Sequence, residues 1–280
     1  MNAPFRSSVP NLSTAAPVRI GAVKLVVRDL AGVSAFYRQA LGLAVIEQGE
    51  GFARLGAGSA VLLDLVQDAA ARVRSRREAG LFHTAFLLPS RADLASWIVH
   101  ASETRVAVQG AADHIVSEAL YLQDPEGNGI EIYVDRPAEA WSIRNNQIEM
   151  TTDPLDIEAI VAAGDGRVWT GVPPGTVVGH LHLQVGEIAK AEAYYASLLG
   201  FDVTYRVPGA TFYSTGGYHH HLATNVWSSR GAAPRSDVAT GLAGFELVAR
   251  SDADHAALLA RAGGAALVDP WGTEIKIVKG

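Results

Sequence analysis

The chain has 280 residues, a formal net charge of −6 and 49% hydrophobic residues. That length and apolar content support one large or two medium domains and exclude long disorder, and the acidic balance gives no basis for nucleic-acid binding. There is no cysteine, so disulfides and thiolate metal sites are excluded; any metal must be held by histidine and carboxylate, as suits zinc, iron(II), manganese or nickel.

The first stretch, "MNAPFRSSVPNLSTAAPVRI", has no apolar run long enough for a signal peptide or a membrane span. It is expected to be a flexible or strapping segment of a cytoplasmic protein. A first unit begins near residue 18: a strand ends at Val27, Asp29 caps a helix, and Gly42 closes it. The basic run "ARVRSRREAG" (71–80) reads as a solvated loop or helix face. A second unit begins near residue 80. Its strand "LFHTAFLL" leads to Ser90 as N-cap, with Asp93 three positions on, and a helix follows.

This second unit ends in "DHIVSEALYLQDPEGNGIEIY" (113–133). Proline presets φ and the glycines accept positive φ, so the chain reverses between "EALYLQ" and "IEIY". Tyr121 and Glu131 are thereby placed on neighbouring strands. The segment 138–176 belongs to no unit; a short helix is expected there, with Asp153 as N-cap, Pro154 at its first position and Gly164 as its stop. Third and fourth units begin near residues 177 and 241, the last ending in "DPWGTEIKIV", an echo of "DPEGNGIEIY".

The units repeat one another. "VVRDLAGVSAFYRQALGL" (26–43) aligns without a gap with "QVGEIAKAEAYYASLLGF" (184–201), at an offset of 158. Within the strands, side chains alternate between two faces. In "VGHLHLQV" (178–185), Leu181, Leu183 and Val185 form the apolar set and His180, His182 and Gln184 face the other way. In "GIEIYV", Glu131 and Tyr133 share the face opposite Ile130 and Ile132. Polarity does not decide the direction of His83. In "GGYHHHLATNVW" (216–227), alternation puts His219, His221 and Asn225 on one face. His100 and His255 fall on helices and are read as surface residues.

The "DL…FYRQALGL" and "DPEGN" patterns resemble the vicinal oxygen chelate superfamily of glyoxalase, bleomycin-resistance and extradiol dioxygenase proteins, over about residues 18–137 and 177–280. His114, Leu120, Tyr121, Asp124, Pro125, Gly127 and Glu131 resemble the signature of type I extradiol ring-cleavage dioxygenases, with Ala112 as one departure. The order of parts is similar to that of two-domain catechol 2,3-dioxygenase-like proteins. The resemblance implies an α+β fold of four βαβββ modules forming two barrels. Residues 18–137 would be a first domain (modules one and two), 138–176 a linker with a short helix, and 177–280 a second domain (modules three and four).

By the same resemblance, metal ligands come from the first and last strands of paired modules. His83 and Glu131 are the candidates in module two and His180 in module three, while Ala22, Gly244 and Lys276 stand at the equivalent places of modules one and four. Pairing two with three completes one site, and pairing one with four leaves a site without metal; ligand counting therefore predicts 2+3 and 1+4. The base implied by the resemblance is His220, whereas strand parity favours His219 or His221. His221 is also a candidate fourth ligand. His114 and Tyr121 match residues that contact the substrate oxygen.

The function implied is metal-dependent extradiol cleavage of a small aromatic diol by O2. Fe(II) is expected, with Mn(II) or another divalent metal as alternatives. Two histidines and one carboxylate on one face of a metal leave positions open for substrates, and histidine suits the proton transfers because its pKa lies near neutrality. No nucleic-acid or membrane partner is expected, and a homo-oligomer is compatible with the sequence. Two rival readings are a glyoxalase-like lyase or isomerase, which a true fourth ligand would favour, and a metal-free protein that binds a flat aromatic compound.

Overall fold

The computed structural model describes residues 12–235 and 238–280. Most of the expected N-terminal strap, residues 1–11, lies outside the described residues. Its described end is a short helix, α1 (Leu12–Ala15), whose Ser13 carbonyl accepts a hydrogen bond from His221 Nε2 at 3.1 Å.

Module one comprises β1 (Val18–Val27), α2 (Leu30–Phe36), which widens into a π turn, and β2 (Ala44–Gly49), β3 (Phe52–Ala57) and β4 (Ala60–Gln67). Module two comprises β5 (Gly80–Leu87), α3 (Arg91–Glu103), β6 (Gly110–Asp113), β7 (Ser117–Gln123) and β8 (Gly129–Asp135). The connecting segment carries β9 (Ile143–Arg144), β10 (Gln147–Ile148) and α4 (Ile157–Ala162). Module three is β11 (Val177–Gln184), α5 (Ile188–Glu192), β12 (Asp202–Val207), β13 (Ala210–Ser214) and β14 (Leu222–Asn225). Module four is β15 (Gly241–Ala249), α6 (Asp252–Ala262), β16 (Ala266–Val268) and β17 (Glu274–Lys279). Among the described residues it has two strands after its helix, where the other modules have three.

Local chemistry sets these boundaries. Ser90 has extended φ and ψ, and its hydroxyl accepts the Asp93 N–H at 3.2 Å, so α3 starts there. Asp29 accepts the Gly32 N–H at 2.9 Å, and Gly42, at φ 77°, ends the first module's helix in the left-handed conformation that lacks a Cβ penalty. The linker helix starts later than expected. Asp156, not Asp153, is its N-cap, accepting the Ala159 N–H at 2.9 Å, while Asp153 forms an isolated bridge with Asp113. The basic run is also not wholly solvated. Arg74 is half-buried and donates to Leu81 O at 2.6 Å and Gln184 Oε1 at 3.1 Å, and burial, with Arg235 nearby, lowers its pKa to about 10.

The strands form two large mixed sheets. One has the order β16-β17-β15-β1-β4-β3-β2 and the other β12-β13-β14-β11-β5-β8-β7-β6. Strands of modules one and four thus share one sheet, and strands of modules two and three share the other. In each sheet the first strands of the two modules pair antiparallel at the centre, β1 with β15 and β11 with β5. The helices pack on the apolar faces. Trp97 of α3 is fully buried and its indole N–H donates to Ala40 O at 2.9 Å. One continuous core runs through all four modules and includes Leu25, Leu63, Phe86, Ile132, Leu181, Tyr195 and Leu247.

Candidate metal centre and active site

The centre of the eight-stranded sheet places the chemistry. Ala85 of β5 is the register partner of both His180 on β11 and Glu131 on β8. His83 lies two residues before Ala85 and so on the same face. Three side chains from three adjacent strands therefore converge beside one small residue. His83 Nε2 is 3.1 Å from Glu131 Oε2, His180 Nε2 is 3.3 Å from the same oxygen, and the two imidazole nitrogens are 3.3 Å apart. All three residues are buried. Gly179, next to His180, leaves room for Tyr133, since a Cβ there would stand 1.9 Å from the Tyr133 hydroxyl oxygen.

The cluster suits a divalent cation. Burial pushes the Glu131 carboxyl up, but the His180 and His83 imidazoles overcome this and hold it well below the usual carboxylate range. Burial pushes His180 down to about 4, against the pull of Glu131. An ionised Glu131 carboxylate and a neutral His180 imidazole are the protonation states that metal ligation requires. Two imidazole nitrogens and one carboxylate oxygen, within 3.3 Å of one another, could together hold one side of a divalent metal and leave its other positions open. The Nδ1 of His180 is buried and has no hydrogen-bond partner among the described residues.

These groups floor a cavity of about 420 Å³, within the usual range for small-molecule sites. Phe82, Phe212, Trp227, Tyr205, Val207 and Met150 supply apolar wall, and among the described residues neither arginine nor lysine lines it. His114 and Tyr121 stand at one side, on the hairpin. The His114 Nδ1 faces the Thr151 carbonyl, which can only accept, so that nitrogen carries the proton. In the neutral ring Nε2 then accepts the Tyr121 hydroxyl at 2.6 Å. Burial, with Glu131 nearby, raises the Tyr121 pKa well above its ordinary value. Leu120 and Leu122, its neighbours, join the apolar core on the opposite face.

Of the three successive histidines, His220 lines the cavity, with its ring centroid 4.1 Å from that of His180. Strand parity pointed elsewhere because residues 219–221 precede β14, in a turn where period-two alternation does not hold. His221 is not brought to the cluster: its Nδ1 lies 3.0 Å from Ser214 Oγ and its Nε2 faces Ser13 O. His219 lies behind His220, with 2.7 Å between their Nδ1 atoms. His182 joins the cavity wall, its Nε2 accepting from the Asn225 amide at 2.9 Å. His100 is half-buried, its Nε2 3.0 Å from Gln39 O.

Several contributors were not anticipated. Met150, Thr151 and Thr152 come from the segment between modules two and three, and Asp135 of β8 meets His219. Asp135 lies four positions after Glu131, so the same strand parity would have found it. The other sheet has a second cleft, lined in part by Ala22, Lys24, Gly244, Glu246 and Lys276. A Cβ on Gly244 would stand 2.6 Å from Glu274 O, which leaves no room for a histidine there. Among the described residues, His83, Glu131 and His180 are the group whose ligand atoms come within metal-binding reach of one another.

Residues 19–132 and 177–275 match the Glyoxalase/Bleomycin resistance protein/Dioxygenase superfamily. Catechol-2,3-dioxygenase of Bacillus subtilis (strain 168) is 42% identical over 235 residues, covering 82% of this chain and 82% of that protein. Biphenyl-2,3-diol 1,2-dioxygenase 3 of Rhodococcus globerulus is 31% identical over 85 residues, which are 29% of this chain and 44% of that protein. Among solved structures, glyoxalase I from Zea mays superposes with a TM-score of 0.55 at 14% identity, covering 95% of this chain and 94% of that one; at that identity it shows a shared fold alone. With more than half of its length matched, and a relative aligned over 82% of both chains, the chain belongs to the Glyoxalase/Bleomycin resistance protein/Dioxygenase superfamily.

Proposed function

We propose that this chain is an extradiol ring-cleavage dioxygenase acting on a catechol-type aromatic diol, with His83, His180 and Glu131 holding a divalent metal. The observation that carries the reading is the convergence of those three residues on the floor of an apolar cavity, beside a hydrogen-bonded His114–Tyr121 pair. The relative aligned over 82% of both chains is a catechol-2,3-dioxygenase, which supports the same substrate class. Fe(II) is the metal this reading favours, with Mn(II) as the alternative. Bound there, the ion would hold the diol oxygens, lower their pKa and bring diol and O2 together.

The chain's own groups divide the remaining work. His220 takes a proton from the diol, since burial and the neighbouring imidazoles push its pKa well down and keep it neutral. Tyr121 contacts a substrate oxygen with His114 beside it, and donates a hydrogen bond there when its hydroxyl turns away from His114 Nε2. Phe82, Phe212 and Trp227 pack on the ring and exclude water. His221 is left out of the ligand set because both of its ring nitrogens are engaged elsewhere, which weighs against a four-ligand, glyoxalase-like site. Residues 18–137 and 177–280 are the two halves of this enzyme, joined by 138–176, whose Thr151 carbonyl fixes the His114 ring.

The reading is tested by oxygen uptake with a panel of catechols after anaerobic iron(II) loading. Uptake with formation of a yellow ring-opened semialdehyde is expected. Loaded protein that consumes no oxygen with any catechol would overturn it.

A further inference from the structure

His220 lines the cavity, and its Nδ1 is taken by His219. Among the described residues no group hydrogen-bonds its Nε2. His219 is fully buried against the Tyr218 and Trp141 rings, with centroids 4.0 and 5.3 Å away. Its Nε2 lies 2.9 Å from Asp135 Oδ1. The same carboxylate oxygen accepts the Tyr218 hydroxyl at 3.1 Å, and the Asp135 side chain keeps 16% of its surface exposed. A chain of hydrogen bonds therefore runs from the surface to the cavity wall.

The direction of that chain follows from what each atom can do. A carboxylate oxygen only accepts, so His219 Nε2 carries a proton and donates it to Asp135. In a neutral His219 the lone pair is then on Nδ1, which only accepts. The Nδ1 of His220 must therefore carry the proton, and the lone pair of His220 is left on Nε2. We infer that Asp135 and His219 are positioning residues that lock His220 in the Nδ1–H tautomer and leave Nε2 as the proton acceptor at the cavity.

The inference rests on the ring-cleavage reading only in naming the donor as a diol hydroxyl. When that O–H bond breaks, its electron pair stays on the substrate oxygen and its proton goes to His220 Nε2. The resulting imidazolium is two hydrogen bonds from the Asp135 carboxylate, which offsets its charge, as the buried aspartate does for histidine in a serine-protease triad. A doubly protonated His219 would reverse the chain. It would donate to His220 Nδ1 and make His220 Nε2–H an acid instead of a base.

Long-range ¹H–¹⁵N spectra of ¹⁵N-histidine-labelled, metal-free protein at neutral pH separate these states, with His220 assigned by its loss in His220→Gln. The Nδ1–H form is expected for His220. An Nε2–H form, or an exchanging mixture, would overturn the inference in the wild-type protein without any variant. In Asp135→Ala the tautomer should become mixed, and kcat of the metal-loaded enzyme should fall roughly tenfold or more, with KM and metal content unchanged. An unchanged tautomer would remove Asp135 from the chain, and a shifted tautomer with unchanged kcat would show that turnover does not use it. Since the spectra need no turnover, absence of ring cleavage would sink the functional reading and leave the tautomer result standing.

Discussion

Glu131 Oε2 stands 3.3 Å from His180 Nε2, although the two residues are 49 positions apart and belong to different modules. The link between them is Ala85, which pairs with both. A side chain larger than a methyl group on that rung would project between these two side chains. The cluster of His83, Glu131 and His180 therefore depends on the joining of modules two and three within one sheet.

Glu131→Gln should preserve the fold, because an amide fills the same space. It removes the negative charge that offsets the metal's charge, so metal content after dialysis should drop and turnover should be lost. Metal analysis beside a urea melt checks this. Unchanged metal content and activity would exclude Glu131 from the site.

Tyr121→Phe removes one hydroxyl and keeps the ring. Turnover should fall by about 10²-fold or more, since general acid–base groups contribute about 10²–10⁴ in rate, while iron content stays normal. If Tyr121 only fills space, activity survives and the loss is confined to about 1 kcal/mol of stability for one hydrogen bond.

Acid should destabilise the metal-free protein. The His180 pKa is depressed to about 4 in the fold, against about 6.5 unfolded. Between those values the unfolded chain binds a proton that the folded chain does not, so stability is present above the unfolded pKa and falls as pH drops, by up to about 1.4 kcal/mol per pH unit per group. His182, His220 and His221 are pushed down by burial in the same direction, and Glu131, held low, loses its contribution at still lower pH. Urea melts from pH 7 to pH 5 should show this slope. His180→Gln should reduce it by one proton's worth, and an unchanged slope would mean that His180 is not held neutral by the fold.

Gly179→Ala would place a Cβ 1.9 Å from the Tyr133 hydroxyl oxygen and 2.9 Å from Leu87 Cβ. Overpacking of this kind costs about 1–3 kcal/mol, measurable as a lower urea midpoint. Adding Tyr133→Phe removes the nearer atom and should recover part of the loss. No recovery would place the strain elsewhere.

How much of this was legible depended on periodicity. The hairpin around Asp124–Gly129, with Tyr121 opposite Glu131, followed from turn chemistry and alternation, and the inward set His180 and His182 followed from alternation along β11. The run 219–221 was ambiguous because it lies outside a strand, where backbone turns and not period two set each direction. The helix of the connecting segment was misplaced by three residues because both Asp153 and Asp156 can cap, and tertiary bridging to Asp113 claims the first. Thr151 and Trp141 carry no local signal, since their positions against His114 and His219 are set by how that segment packs.

The metal proposed at His83, Glu131 and His180 would serve oxygen insertion into a diol ring. Turnover of a catechol under ¹⁸O2 by iron(II)-loaded protein, with the ring-opened product read by mass spectrometry, tests this. One metal per chain and both ¹⁸O atoms in the product are expected, with neither result in Glu131→Gln. Product free of ¹⁸O, or full turnover in protein stripped of metal, would contradict it.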